Sequence, residues 1–433
     1  MTTLKEAGQK YLSDFEAAGA DGDHAWLRPR REAAIRSFGD RGFPTRKDEL
    51  WRYTNVAPLV DAPFSTPAAG AADQAKVAEL GLVGGTRLVF VNGLFAAAES
   101  RLDGLPAGVT LGGLAAALAS DGEKLTPHLA NQGVTAEHAF GELNTAFFRD
   151  GAFLHVAAGV EVAEPIELLF IGDPASAETV AHVRNLIVCE AGSRVTFVEV
   201  HQGVAGAWCN QVTEVDVAAN SNVEHVKVQL DHDDAFHVSG LRVRVAEHGH
   251  FGNHFVSMGG RLVRNDIEVS LDGEWSNATL NGVFVVDGNR HVDTNTLIQH
   301  RVPNCTSHEL YKGILAEKGR GVFRGKIHVH LDAQKTDAKQ SSSNLLLSDD
   351  AVINTQPNLE IYADDVRCTH GATIGQLDAE AMFYLQSRGL SAAAARRLLT
   401  LGFVNDMVDQ LPVDAVRELL ESKVSERLAG VGV

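Results

Sequence analysis

Three segments carry the pattern that decides the fold: Val195-Thr-Phe-Val-Glu-Val200, Val223-Glu-His-Val-Lys-Val228 and Leu241-Arg-Val-Arg-Val245. Apolar residues recur two apart in these runs: Val195 and Phe197, Val198 and Val200, Val226 and Val228, and Leu241, Val243 and Val245. Side chains two apart share one face of an extended strand, so each segment reads as a strand with one buried face. The runs end in small or polar turns: Glu190-Ala-Gly-Ser193, Val217-Ala-Ala-Asn220, Val245-Ala-Glu-His248 and Leu271-Asp-Gly-Glu274. The first residues past the strand ends are 191, 218, 246 and 272, at intervals of 27, 28 and 26. Later turns at Ala316, Ser348 and Ala363 keep this spacing less regularly. Short strands at a loose common period fit stacked coils, each burying its inward residues against the next. The expected fold is mainly β, a right-handed parallel β-helix core flanked by N-terminal and C-terminal α-helical regions. A β-sandwich is the competing architecture. It takes about 100 residues, so two would be needed and the shared spacing would be coincidence.

Outward from this core the texture changes. Residues 1–150 read as a mainly helical region: Leu12–Ala18 and Leu27–Phe38 carry apolar residues at helical spacing. Thr45-Arg-Lys-Asp48 fits a capping-box helix start with Thr45 as N-cap, and residues 61–70 read as a loop. A short hairpin is expected around Val91-Asn-Gly93, because Asn-Gly suits a two-residue turn. The β-helix core is assigned to 151–375 and a helical region to 376–433. In the latter, Asp378–Ser387, Ala392–Met407 and Val413–Leu428 are amphipathic, with Gly389 as a helix stop and Ser391 as a cap.

The 433 residues include 38 Lys plus Arg against 56 Asp plus Glu, a net charge of −18. That balance opposes nucleic acid and anionic membrane surfaces, both of which need a basic face. No apolar stretch is long enough to span a bilayer. Met1-Thr-Thr-Leu-Lys-Glu6 lacks a basic start followed by an apolar run, so a cytoplasmic location is expected. Four cysteines (Cys189, Cys209, Cys305, Cys368) are too few for a disulfide scaffold and are expected as free thiols.

Among chemistry-bearing residues, Cys368-Thr-His370 stands out. On a strand, a thiol and an imidazole two apart emerge side by side, a ligand pair suited to zinc, copper or iron. Two ligands do not hold a metal alone, and a core thiol beside a surface histidine is the plainer reading. Two His-x-His pairs, His248-Gly-His250 and His328-Val-His330, lack the further ligand spacing that a permanent metal site requires. The polar strip Leu331–Asn344 reads as a functional strip or, more commonly, a solvated loop. No phosphate loop, nucleophile elbow or dinucleotide motif occurs in a supporting context.

Two blocks go beyond fold-level likeness. Gly42-Phe-Pro-Thr-Arg-Lys-Asp-Glu-Leu-Trp-Arg-Tyr-Thr54 resembles an N-terminal signature of the SufB/SufD family, the scaffold of the SUF iron–sulfur cluster assembly machine. Leu345-Leu-Leu-Ser348, Pro357-Asn-Leu-Glu-Ile-Tyr-Ala-Asp-Asp-Val-Arg-Cys-Thr-His-Gly-Ala-Thr-Ile-Gly375 and Met382-Phe-Tyr-Leu-Gln-Ser-Arg-Gly-Leu390 resemble that family's C-terminal core. The likeness runs over essentially the whole chain. SufB-type chains carry Glu after the late histidine, where this chain has Gly371, and Cys in the polar strip, where the matching position is Ser342. Both departures, with Trp51-Arg-Tyr53, point to the SufD branch.

The resemblance implies a non-catalytic scaffold subunit. It would pair with SufB edge to edge along the β-helices and dock the ABC-type ATPase SufC at the C-terminal helices. A nascent iron–sulfur cluster would be held transiently at the SufB interface, with His370 and Cys368 as the ligands from this side and SufB thiolates supplying the rest. A reduced flavin is a further candidate cofactor, and the exposed β-helix edge leaves a homodimer of the lone chain open alongside the heteromer. The competing function is a β-helix carbohydrate-active enzyme, for which Asp364-Asp365 is the candidate acid pair; neighbours on a strand face opposite ways and make such a pair poorly.

Overall fold

The computed structural model describes residues 4–18, 24–62, 64–70, 72, 74–130 and 139–430. The N-terminal part holds helices α1 (Leu4–Ala18), α2 (Leu27–Arg41), α3 (Ala57–Val60) and α4 (Gln74–Leu80). Strands β1 (Arg87–Val91), β2 (Leu94–Phe95) and β3 (Val109–Gly113) follow, then α5 (Leu114–Leu125) and α6 (Ala139–Phe147). Sixteen strands come next: β4 (Ala152–Val156), β5 (Ile166–Ile171), β6 (Val180–Cys189), β7 (Arg194–Gln202), β8 (Trp208–Val217), β9 (Asn222–Gln229), β10 (Phe236–Val245), β11 (His250–Ser257), β12 (Leu262–Leu271), β13 (Asn277–Val286), β14 (His291–His300), β15 (Thr306–Leu315), β16 (Arg320–Val329), β17 (Asp337–Leu346), β18 (Val352–Ile361) and β19 (Arg367–Gly375). Helices α7 (Ala379–Ser387), α8 (Ala392–Val408) and α9 (Asp414–Gly430) end the chain.

From β4 onward the strands alternate between two sheets and pair in parallel with the strand two along, the topology of a β-solenoid. Val180 lies beside Trp208, Trp208 beside Phe236 and Phe236 beside Leu262, so successive coils take 28, 28 and 26 residues, matching the turn spacing in the sequence. The register stacks like on like. One inward ladder runs Ile187, Val215, Val243, Val269, Ile298, Ile327, all buried. Each such side chain contributes about 1.5–3 kcal/mol by leaving water. A left-handed residue closes the turn from one sheet to the other: Gly192, Asn220, His248, Trp275, Asn304 and Lys335, one per coil. Several of these residues donate their N–H to the next coil, as Asn220 does to the Glu247 carbonyl at 3.0 Å and His248 to that of Glu274 at 3.0 Å. That satisfies backbone groups which a turn would otherwise strand.

Both outer faces of the solenoid are covered. Trp51, Phe140, Phe38 and Phe43 pack with Trp208, Phe236, Val238 and Leu262 over the nine-stranded sheet. Val404, Met407, Val416, Leu420 and Val424 of α8 and α9 pack over Val226, Val228, Val256, Val283 and Ile314 of the ten-stranded sheet. The Asn92-Gly93 turn joins β1 and β2 as expected, with both residues at positive φ. Gly389 (φ +94°) ends α7, and the Ser391 hydroxyl caps α8 by accepting the Ala394 N–H at 3.2 Å.

Two local expectations need correction. Thr45 and Asp48 make half of a capping box: Asp48 Oδ2 accepts from Thr45 N at 2.6 Å, but the Thr45 hydroxyl donates to Asp48 Oδ2 at 2.9 Å and accepts from Lys47 N at 3.1 Å instead of Asp48 N. No α-helix follows, only a 3₁₀ turn over Glu49–Trp51, because burial of Trp51 pulls the chain into the core. The polar strip is not a solvated loop. Its second half is β17, with Ala338, Gln340, Ser342 and Asn344 buried on the inward face.

Candidate functional site

β18 and β19 form the last coil, and each is the terminal strand of its sheet. β19 pairs only with β17, aligning Ala338 with Cys368, Gln340 with His370 and Ser342 with Ala372. Since Ala338, Gln340 and Ser342 face inward, Cys368, His370, Ala372 and Ile374 share that inward face. Among the described residues nothing covers them. The solenoid ends open, leaving His370 exposed and Ile374 51% exposed, with Tyr362, Phe383 and Tyr384 exposed in the following segments. Large apolar side chains in water beside two unpaired strand edges mark an interaction surface.

The strand alternation therefore brings Cys368 and His370 together as expected. Their environments differ. Cys368 is half-buried against the Ile327, Val329, Ala333 and Ala338 cluster. Burial, aided by Asp337, raises its pKa against the opposing pull of the Ala338 backbone, so the thiol is protonated in the free chain. Gly371 has open space where a Cβ would stand. Ser342 is buried one coil further in, accepting a hydrogen bond from Asn344 Nδ2 at 3.0 Å.

All four cysteines are free, and burial pushes every thiol up, Cys189 to about 12. Reactive cysteines show the opposite shift. No thiolate poised to start cluster chemistry stands in this chain.

The other sequence candidates do not converge. His250 bonds Glu224 Oε1 at 3.0 Å and Asn277 Oδ1 at 2.7 Å, while His248 sits in a turn against Trp275. His328 and His330 stack with ring centroids 4.3 Å apart on the outer face, near Glu360 and Gln299. Asp365 is tied to Lys335 in an exposed turn, so Asp364-Asp365 makes no acid pair in a cleft. The Trp51 signature is structural: Trp51 is buried under the Arg264 guanidinium, 4.2 Å from its ring centre. Arg264 in turn bonds Asp293 at 2.6 Å, Asp266 at 2.7 Å and the Leu50 carbonyl at 2.9 Å.

Sequence reasoning missed the polar half of the solenoid interior. Glu199, His201, Cys209, Gln211, His225, Lys227, Asp231 and His237 all face inward there, and all but the half-buried Cys209 are buried. Burial lowers the pKa of His201 and His237, the latter to about 4, so both imidazoles are neutral. For Glu199 and Asp231 burial works toward protonation, while hydrogen bonds from His201 and His225 to Glu199 and from His237 and Gln229 to Asp231 pull both carboxyls below their usual range. The signal was available: Cys209 and His237 are one coil apart, in register.

Comparison with known proteins agrees with this architecture. The profile of the SUF system FeS cluster assembly SufBD core domain matches residues 170–403, and that of the SufBD protein N-terminal region matches residues 6–168. The iron-sulfur cluster assembly protein SufD of Escherichia coli is 30% identical over 430 residues, covering 98% of this chain and 97% of that protein. An iron-sulfur cluster assembly SufBD family protein of Synechocystis is 31% identical over 411 residues, covering 92% and 90%. SufD of Bacillus subtilis is 26% identical over 441 residues, covering 98% and 99%.

Proposed function

The chain belongs to the SufBD family of the SUF iron–sulfur cluster assembly system, and from that membership we propose that it is the non-catalytic scaffold subunit of a SufBCD-type complex. The observation that carries the reading is the open last coil. β18 and β19 offer two free edges at once, so a partner solenoid of like cross-section can continue both sheets without rebuilding either. The partner is SufB, and the cluster is transient cargo at the junction. His370 supplies a neutral imidazole ligand from this side, and the partner's thiolates supply the others. Cys368, protonated and half-buried, is the weaker candidate ligand and would lose its proton only on meeting iron. ATP hydrolysis resides in SufC, docked on α8 and α9, and the complex works in the cytoplasm.

Among the described residues, no helix is long and apolar enough to cross a membrane. The net charge of −18 fits a chain whose partners are proteins rather than nucleic acid. Co-expression with SufB and SufC homologues tests the reading. A purified complex containing acid-labile sulfide is expected, with reduced flavin assayed in the same sample. A chain that stays alone under these conditions would overturn it.

A further inference from the structure

Inside the solenoid, 28 residues apart on β8 and β10, Cys209 and His237 lie side by side in register. His201 reaches them from β7 in the opposite sheet. One ligand atom of each, a ring nitrogen or the sulfur, lies within 4.8 Å of the others. We propose that these three side chains form a buried binding site for a single divalent cation of the zinc class, clasping the two sheets together.

Several features support a cation rather than accidental crowding. His237 is fully buried, and neither of its ring nitrogens has an aligned hydrogen-bond partner. Its Nδ1 lies 2.9 Å from the Asp231 carboxylate. His201 Nε2 likewise lies 3.4 Å from Glu199 Oε2. A metal-binding histidine commonly gives its second nitrogen to a carboxylate, which fixes the ring and raises the basicity of the ligating nitrogen. The His201 ring is held further by stacking on Phe170 at 4.7 Å and by edge contact with His237 at 4.8 Å.

Space and ligand chemistry agree. A cavity of about 50 Å3 is bordered by His201, Cys209 and Asp231. That exceeds the roughly 10–15 Å3 which a water needs, so there is room for a water beside His201 and Cys209. Asp231 is already engaged by Gly203 N and Gln229 Nε2 as well as His237, which leaves it to orient the site rather than ligate. A divalent ion binding here displaces the Cys209 thiol proton to solvent. Two imidazoles and one thiolate select zinc-class ions over magnesium or calcium.

The probe is Co2+, added anaerobically to the full chain after chelator treatment and reduction. One equivalent should give a thiolate-to-cobalt charge-transfer band with intense tetrahedral d–d bands, bleached by one equivalent of Zn2+. Cys209→Ala should lose the charge-transfer band with its circular dichroism unchanged. Cys368→Ala and His370→Ala should keep it, which separates this site from the interface site. No charge-transfer band in the parent chain would overturn the proposal. So would a band that survives Cys209→Ala or disappears in Cys368→Ala.

Discussion

Gln340 Nε2 donates to Glu309 Oε2 at 2.5 Å, inside the solenoid and one rung short of the open end. The next residue on the same ladder is His370. Burial raises the Glu309 carboxyl to about 7 against the opposing hydrogen bonds from Thr296 and Gln340. Between about pH 4.5 and 7 the folded chain therefore keeps a proton that the unfolded chain has released. Stability falls as pH rises through that window and is level in this respect above it. A shift of about 2.5 units corresponds to about 3 kcal/mol. Glu309→Gln should gain on the parent by that order between pH 4.5 and 8, read from urea midpoints. An equal difference at both pH values would show that the carboxyl does not titrate there.

His370→Ala should leave folding and complex formation intact, because the ring is exposed and packs against little in the free chain. Cluster content per purified complex should fall several-fold at equal subunit ratio. Cys368→Ala should be milder in cluster content and lose about 1 kcal/mol of stability, since its half-buried sulfur fills the end of the Ile327 cluster. Unchanged cluster content in His370→Ala would falsify its role as ligand. Loss of the complex would instead assign the histidine to the interface.

The lone chain should hold no persistent iron–sulfur cluster. One Cys-x-His pair supplies two ligands, and a cluster is usually held by several thiolates. Anaerobic reconstitution followed by visible absorption reads this directly; a stoichiometric, stable brown protein would contradict it.

ATPase docking should depend on the outer surface of α8. Leu398 is 51% exposed there, in line with exposed Gly402 and Asn405. The helix itself is fixed from below by Lys312, which donates to the Phe403 carbonyl at 2.6 Å and to Asp406 at 2.5 Å. Leu398→Glu should abolish pull-down of the ATPase while changing stability by no more than about 0.5 kcal/mol. Deleting the helices is a poor substitute, because it uncovers Val226, Val256, Val283 and Ile314 and invites aggregation. Retained binding by Leu398→Glu would move the dock elsewhere.

Arg264→Ala should destabilise the chain by about 3–5 kcal/mol, because it leaves Asp293 buried without its cation. The Trp51 contact would be lost with it, so intrinsic tryptophan fluorescence should change in the folded state.

The coils were legible because a two-residue alternation at a 26–28-residue spacing has few other physical readings. The pairing of Cys368 with His370 followed from the same alternation. What the pattern could not say is whether another coil covers them, since inward-facing residues look alike at the middle and at the end of a stack. β17 escaped notice because its inward residues, Gln340, Ser342 and Asn344, are polar, with Gln340 donating to Glu309 and Asn344 to Ser342, so no apolar alternation marks the strand. The polar half of the interior was hidden for the same reason. At Thr45 only half of the anticipated capping box forms, and packing of Trp51 overrides the helix it usually begins.

Arg427 near the chain's end reaches Asp233 at 3.0 Å, across 194 residues of sequence. The C-terminal helices thus fasten the newest part of the polypeptide to coils laid down much earlier. In mechanical terms this strap is a latch. A pull on the C-terminus loads α9 and its Asp233 and Asp287 contacts in shear before it can peel β19 from the open end. The open end is thereby protected from fraying without being covered.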